Sequence, residues 1–108
     1  MRRTLEIVFL LLIFAGAATN AQDKLHLTKR TEQYGVITIT LSDGSQRIRD
    51  FDPDSPTEHD EAASARGWKI GDTIDIDTDT EHNACGTFDR LTDTDQKPPT
   101  YACFPKPK

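Results

Sequence analysis

A mainly β domain of roughly five or six strands, laid out as a meander or small barrel with one short helix and one disulfide, is the fold this 108-residue chain predicts. Three observations predict it. Short β-branched runs alternate with turn formers from Val36 onward, one stretch between Ser55 and Gly67 carries helix-start and helix-stop chemistry, and Cys85 and Cys103 are the only cysteines.

The first 21 residues read as a secretory signal peptide. Arg2 and Arg3 supply its charged start, Ile7 to Phe14 its apolar run, and Thr19-Asn20-Ala21 a small-residue cleavage site before Gln22. An uncut membrane anchor is the competing reading, but the apolar stretch is roughly 12 residues against the roughly 20 a spanning helix needs. No cysteine stands at the cleavage point to take a lipid. The expected product is one small β-rich domain over residues 22–104 with a flexible tail at 105–108, exported to the periplasm or beyond the cell.

From Val36 to Leu41 every residue is β-branched or aliphatic, which predicts a strand. Ser42-Asp43-Gly44-Ser45 follows as a tight turn, and Gln46 to Phe51 returns with Ile48 alternating against Arg47 and Arg49. Ser55 as N-cap, Pro56 at the first position and Glu58 at the third then predict a short helix to about Arg66, ended by Gly67 in a left-handed conformation. Its apolar residues are alanines, so its footprint on a sheet is small. Thr73 to Asp77 alternates Ile74 and Ile76 with Asp75 and Asp77, a half-buried strand, with Trp68 as the lid on the core. Cys85 to Leu91 and Tyr101 to Phe104 complete the strands, and Asp93 to Pro99 is the polar connection between them. Leu25 and Leu27 alternate with polar neighbours as an edge strand does, while Lys29 to Gln33 holds no apolar residue.

The residues Ile39 to Ser45 (I-T-L-x-D-G-S) and Trp68 to Ile74 (W-K-I-G-D-T-I) give the span 36–77 a pattern that resembles small exported bacterial β proteins of uncharacterised function. The resemblance implies a β fold and brings no activity with it. Gln46, where an aromatic is usual, and the longer segment Asp54 to Arg66 depart from that pattern.

The chain carries 13 basic and 18 acidic residues, a net charge of −5, and becomes about one unit more negative when Arg2, Arg3 and Glu6 leave with the leader. No basic stripe is present, which argues against nucleic acid as partner, and the same acidity disfavours stable association with an anionic membrane. A cationic protein fits this balance.

Asp50, Asp52, Asp54, Glu58 and Glu61 have the ligand spacing of a calcium loop, but Ser55 stands where such a loop needs glycine and the following proline extends the backbone. Helix capping explains the same residues. Asp72, Asp75, Asp77, Asp79 and Glu81 form a second acidic run, a solvated face that could also attract a hard cation or a cationic partner, with Asp75, Asp77 and Asp79 at its centre. His26, His59 and His82 are scattered among polar residues, and no serine sits in a nucleophile elbow. Trp68, Phe51, Phe88, Tyr101 and Phe104 are the aromatic core candidates; Tyr101 or Trp68 exposed beside an acidic rim would mark a binding surface. The expected function is a non-enzymatic binding module without a cofactor. A calcium-binding protein and a small secreted enzyme or toxin are the alternatives.

Pairing of Cys85 with Cys103 closes a loop that stabilises a small domain by about 3 kcal/mol in the chain-entropy picture. Melting the purified protein with and without reductant checks this, with a fall in Tm of many degrees expected on reduction.

Overall fold

The computed structural model describes residues 24–107; the expected leader at 1–21 and Lys108 lie outside the described residues. The described chain forms one open sheet of six antiparallel strands with a single helix among them. In chain order these are β1 (Leu25–Gln33), β2 (Val36–Leu41), β3 (Gln46–Asp50), α1 (Pro56–Gly67), β4 (Thr73–Asp77), β5 (Asp89–Asp93) and β6 (Thr100–Phe104). The sheet order β3-β2-β1-β4-β5-β6 joins two three-stranded meanders through a β1–β4 pairing.

That pairing makes β1 a central strand, where its alternation predicted an edge. Leu25 and His26 pair with β4, and Leu27 onward pairs with β2, with a bulge between Leu27 and Lys29. The bulge shifts the inward face from odd to even positions. Leu27 is fully buried, whereas beyond the bulge it is Arg30 that turns inward and donates to the Trp68 carbonyl. The apolar gap from Lys29 to Gln33 is therefore a strand whose inward side chains clasp the helix end. Glu32 does so as well, accepting two bonds from Arg66 at 2.8 and 2.7 Å.

Between β1 and β2 the chain reverses in a two-residue turn, Tyr34-Gly35, with φ of 53° and 80°. This mirror-image turn suits the right-handed twist of the flanking strands, and asparagine or aspartate is the usual first residue. A tyrosine there gives no turn signal in sequence, and its ring is 93% exposed. At Asp43-Gly44 only Gly44 takes positive φ, while the Asp43 carboxylate accepts from the Ser45 N–H at 2.9 Å.

Strand β2 buries Ile37, Ile39 and Leu41 in strict alternation. Its register with β3 places Ile37 opposite Arg49 and Ile39 opposite Arg47, so the arginines share the core face. Ile48, on the opposite face from the arginines, points outward and is 52% exposed. The stronger apolar pattern of β2 sets the face, and the tight turn transmits it to β3.

The inward arginines let the two edge strands meet without a ladder. Arg47 Nη1 reaches Asp89 Oδ2 on β5 at 2.6 Å, and Arg49 Nη1 donates to the Cys103 carbonyl on β6 at 2.7 Å. Arg49 also pairs with Glu61 at 3.1 Å and Glu58 at 3.0 Å on the helix, and its guanidinium lies 4.5 Å from the Phe51 ring centroid. Glu61 Oε1 in turn accepts from the Cys103 N–H at 2.7 Å. The sheet curls until side chains close it.

Helix α1 starts as expected, with Ser55 Oγ accepting from the Glu58 N–H, and buries Ala62 and Ala65. Its end differs. Gly67 stays out of the left-handed region and Trp68 terminates the helix in extended geometry, donating its N–H to the Ala65 carbonyl at 3.3 Å. Trp68 is the largest side chain of the core, and its Nε1 donates to Thr100 Oγ1 at 2.9 Å. Phe51 and Phe104 meet edge to face at 5.7 Å. The disulfide Cys85–Cys103 ties β6 to the loop before β5, since β5 begins at Asp89 and not at Cys85. Strand β5 also extends through Asp93, which is buried and no part of the polar connection. Of the predicted flexible tail, Lys106 donates to the Thr78 carbonyl at 3.2 Å and pairs with Asp89.

Replacing Arg49 by methionine keeps apolar contact with Phe51 but strands Glu61 and the Cys103 carbonyl. A loss of about 3 kcal/mol is expected from breaking a nearly buried pair on one side. Adding Glu61→Gln, which retains an acceptor for the Cys103 N–H, recovers part of that loss; denaturant melts of the single and double variants measure both.

Candidate functional site

The acidic residues flagged in the sequence separate into consumed and available groups. Asp52 Oδ1 accepts from the Asp54 N–H at 2.9 Å, Glu58 Oε1 accepts from the Asp52 N–H at 3.0 Å, and Glu58 and Glu61 both face Arg49. Asp50 ends β3 and Asp54 lies in the turn before α1. The structure thus places the calcium-loop carboxylates in capping and ion-pair roles and does not gather their oxygens around a common point.

In the second run, Asp77 Oδ1 accepts from the Asp79 N–H at 2.9 Å, and Asp79 binds the Glu81 N–H at 3.1 Å and His82 Nδ1 at 2.9 Å. Asp77 also lies 3.7 Å from Arg90. Asp75, on the outer face of β4, is exposed, and among the described residues no ion pair holds it. The loop that follows is organised by Asn83, a fully buried residue with no sequence signal beyond its type. Its amide donates to the Asp77 and Phe88 carbonyls at 3.2 and 2.9 Å and accepts from the Cys85 N–H at 2.8 Å. His26, His59 and His82 sit on β1, α1 and this loop, all exposed.

A groove opens between α1 and the outer edge of β6, about 380 Å³ in volume. Thr57, Asp60, Glu61 and Ser64 line its helix side, and Thr100 and Tyr101 its strand side. Cys103 sends its N–H and C=O away from β5, to Glu61 and Arg49. Strand periodicity then turns the N–H and C=O of Tyr101 the same way, into the groove. Tyr101 is 43% exposed, and the Arg90 guanidinium lies 5.5 Å from its ring centroid. Helix packing seals the edge at Cys103 and leaves it accessible at Tyr101.

A third grouping joins Asp72 of that second run to Asp93 and Asp95, which the sequence did not single out. At the end of the sheet where β4 begins and β5 ends, Asp72, Asp93 and Asp95 each bring a carboxylate oxygen within 4.8 Å of the others. Each also anchors a loop. Asp72 Oδ2 accepts from the Lys69 N–H at 3.0 Å, Asp93 Oδ1 from the Asp95 N–H at 2.9 Å, and Asp95 Oδ2 from the Thr73 N–H at 2.7 Å. Asp93 is 0% exposed, and its Oδ2 has no hydrogen-bond partner. The alternation Asp89, Leu91, Asp93 was the available signal, because period two puts both aspartates on the face of the buried leucine.

Burial pushes the Asp93 carboxyl up to about 6, and the adjacent Asp72 carboxyl adds to the shift. Asp72 is held below the ordinary carboxylate range by its contact with the Asp93 carboxyl and by the Lys69 N–H. Below about pH 6 Asp93 therefore holds a proton beside the Asp72 carboxylate, and above it both carboxyls are charged.

Comparison with family models, with curated proteins and with solved structures returned no match to this chain.

The Asp93 shift has a defined sign. A carboxyl whose folded pKa is raised holds its proton more tightly in the folded state, so its contribution is complete below about pH 4 and is lost as pH rises through about 6. Asp72, Asp95 and Lys69 are the charged groups facing it. With chelator present, wild type is expected to lose on the order of 2 to 3 kcal/mol relative to Asp93→Asn between acidic and neutral pH. Urea melts of both proteins across that range measure the difference and cancel the opposite contributions of Glu32, Asp43 and Asp89, whose pKa values are lowered.

Proposed function

We propose that this chain is an exported, non-enzymatic binding module that takes an extended cationic segment of a partner protein along the edge of β6. The observation that carries the reading is the exposed Tyr101 on a strand edge whose backbone polar groups face a groove bordered by Asp60 and Glu61. Exposed edges are ordinarily paired or covered, and an added strand gains main-chain hydrogen bonds while side-chain pockets supply selectivity. Asp60 on the helix side favours lysine and arginine in that strand, Glu61 being paired with Arg49, in keeping with the net charge of −5.

The disulfide suits an oxidising compartment, and among the described residues no helix is long and apolar enough to cross a membrane. Together with the signal-peptide reading of residues 1–21, these support a location in the periplasm or outside the cell. The resemblance of residues 36–77 to small exported β proteins agrees with that setting. Asp75, Asp77 and Asp79, the surface first indicated by sequence, contribute to the overall field; the turn and ion-pair roles of Asp77 and Asp79 leave Asp75 as the main free charge there.

Titration of the purified protein with an alternating lysine–valine peptide, followed by backbone amide NMR, tests the reading. Shifts centred on Tyr101 and the first turns of α1 are expected. Tyr101→Ala and Asp60→Lys should each weaken binding about tenfold, or roughly 1.4 kcal/mol, and added salt should weaken it further. Equal affinity in Tyr101→Ala, or shifts centred on Asp75, Asp77 and Asp79, would place the partner elsewhere.

A further inference from the structure

At the β4–β5 end of the sheet, three aspartates from two segments bring their carboxyls together. Asp72 belongs to the turn before β4, Asp93 closes β5 and Asp95 opens the β5–β6 connection. One oxygen of each is occupied in bracing its own loop through a backbone N–H. These bonds fix the carboxyls from the two segments that carry them. Gln96 Nε2 reinforces the set, reaching Asp72 Oδ2 at 3.2 Å and the Gly67 carbonyl at 3.3 Å.

A solvated acidic face accounts for exposed aspartates but not for Asp93. Its side chain is fully buried, and Oδ2 lacks any hydrogen-bond donor among the described residues. Below about pH 6 a proton shared with Asp72 meets this need, but at neutral pH the buried carboxylate oxygen has no donor, and a positive ion is the group that would satisfy it. Lys69 is the one basic side chain acting on this cluster, and it acts on Asp72.

We infer that Asp72, Asp93 and Asp95 form a binding site for a divalent calcium-type cation. The chemistry of the donors is all oxygen and anionic, which selects a hard ion over zinc or copper. Calcium, which accepts irregular shells of six to eight oxygens, suits a set of carboxylates gathered from two loops better than magnesium, which demands near-ideal octahedral geometry. Water would complete the shell on the solvent-exposed Asp95 side. The ion would join the starts and ends of β4 and β5 to the Trp68–Asp72 loop, which is itself stitched to β1 by the Leu27 N–H bond to the Asp72 carbonyl at 2.9 Å.

The test is direct addition of metal to chelator-treated, disulfide-intact protein. Millimolar calcium is expected to raise the Tm by several degrees, and calorimetry should find one ion per chain. Terbium should bind at the same place, with luminescence excited through Trp68 and displaced by calcium. Asp93→Asn should abolish the response while melting no lower than wild type in chelator, because the amide relieves the buried charge. Asp95→Asn, at an exposed position that keeps an acceptor for the Thr73 N–H, should weaken calcium about tenfold by removing one ligand charge. The double variant Asp75→Asn, Asp77→Asn should leave the response intact. Absence of any calorimetric or melting response to millimolar calcium, or a response that survives both Asp93→Asn and Asp95→Asn, overturns the site.

Discussion

Arg49 is the constraint on which the rest of this fold depends. A six-stranded sheet with an aliphatic core face has two edges to dispose of, and a chain this small has only one short, alanine-faced helix with which to cover them. Arg49 reaches from the β3 edge to the Cys103 carbonyl on the β6 edge and to Glu58 and Glu61 on the helix, while its flat guanidinium lies against Phe51 and Phe88. One side chain thereby joins sheet ends, helix and aromatic core. Fixed planar geometry and several donors make this possible, and a lysine could not hold the same set.

The arrangement has consequences for how charge is distributed. With Arg47 and Arg49 turned inward, Asp89 and Glu61 must turn inward with them, and the core face becomes a mixture of aliphatic side chains and paired ions. Such pairs define a unique closure more than they add stability. The loop from Asp79 to Phe88 is handled likewise, by one buried asparagine and the disulfide, with no apolar filling of its own. What remains unpaired after these demands are met is small in extent: the Tyr101 edge, the outer aspartate of β4, and the carboxylate oxygens of Asp93 and Asp95 that no loop N–H engages.

Much of the scaffold could be read from residue order. The β2–β3 hairpin, the Ser55 cap, β4 with its alternating isoleucines, and Trp68 at the core are each local features whose residues carry their own geometric preference. What could not be read this way shares one cause. Ile48 is apolar, yet its face is decided by Ile37 and Ile39 on the neighbouring strand. Leu25 and Leu27 read as an edge strand because the bulge after Leu27 reverses which side chains face inward. Gly67 read as a left-handed stop, but burial of Trp68 already turns the chain there.

The sequence by itself determined the class of fold, the position of the helix, the acidity and the pair of cysteines, because each of these follows from residues close together or from composition. Only the tertiary structure decided which carboxylates are spent and which remain available. Asp52 and Asp93 are the same residue type in similarly acidic surroundings, but one caps a turn in solvent and the other is sealed beneath two loops. The difference is desolvation and the supply of donors, and both are set by strands and turns that meet only when the sheet has formed.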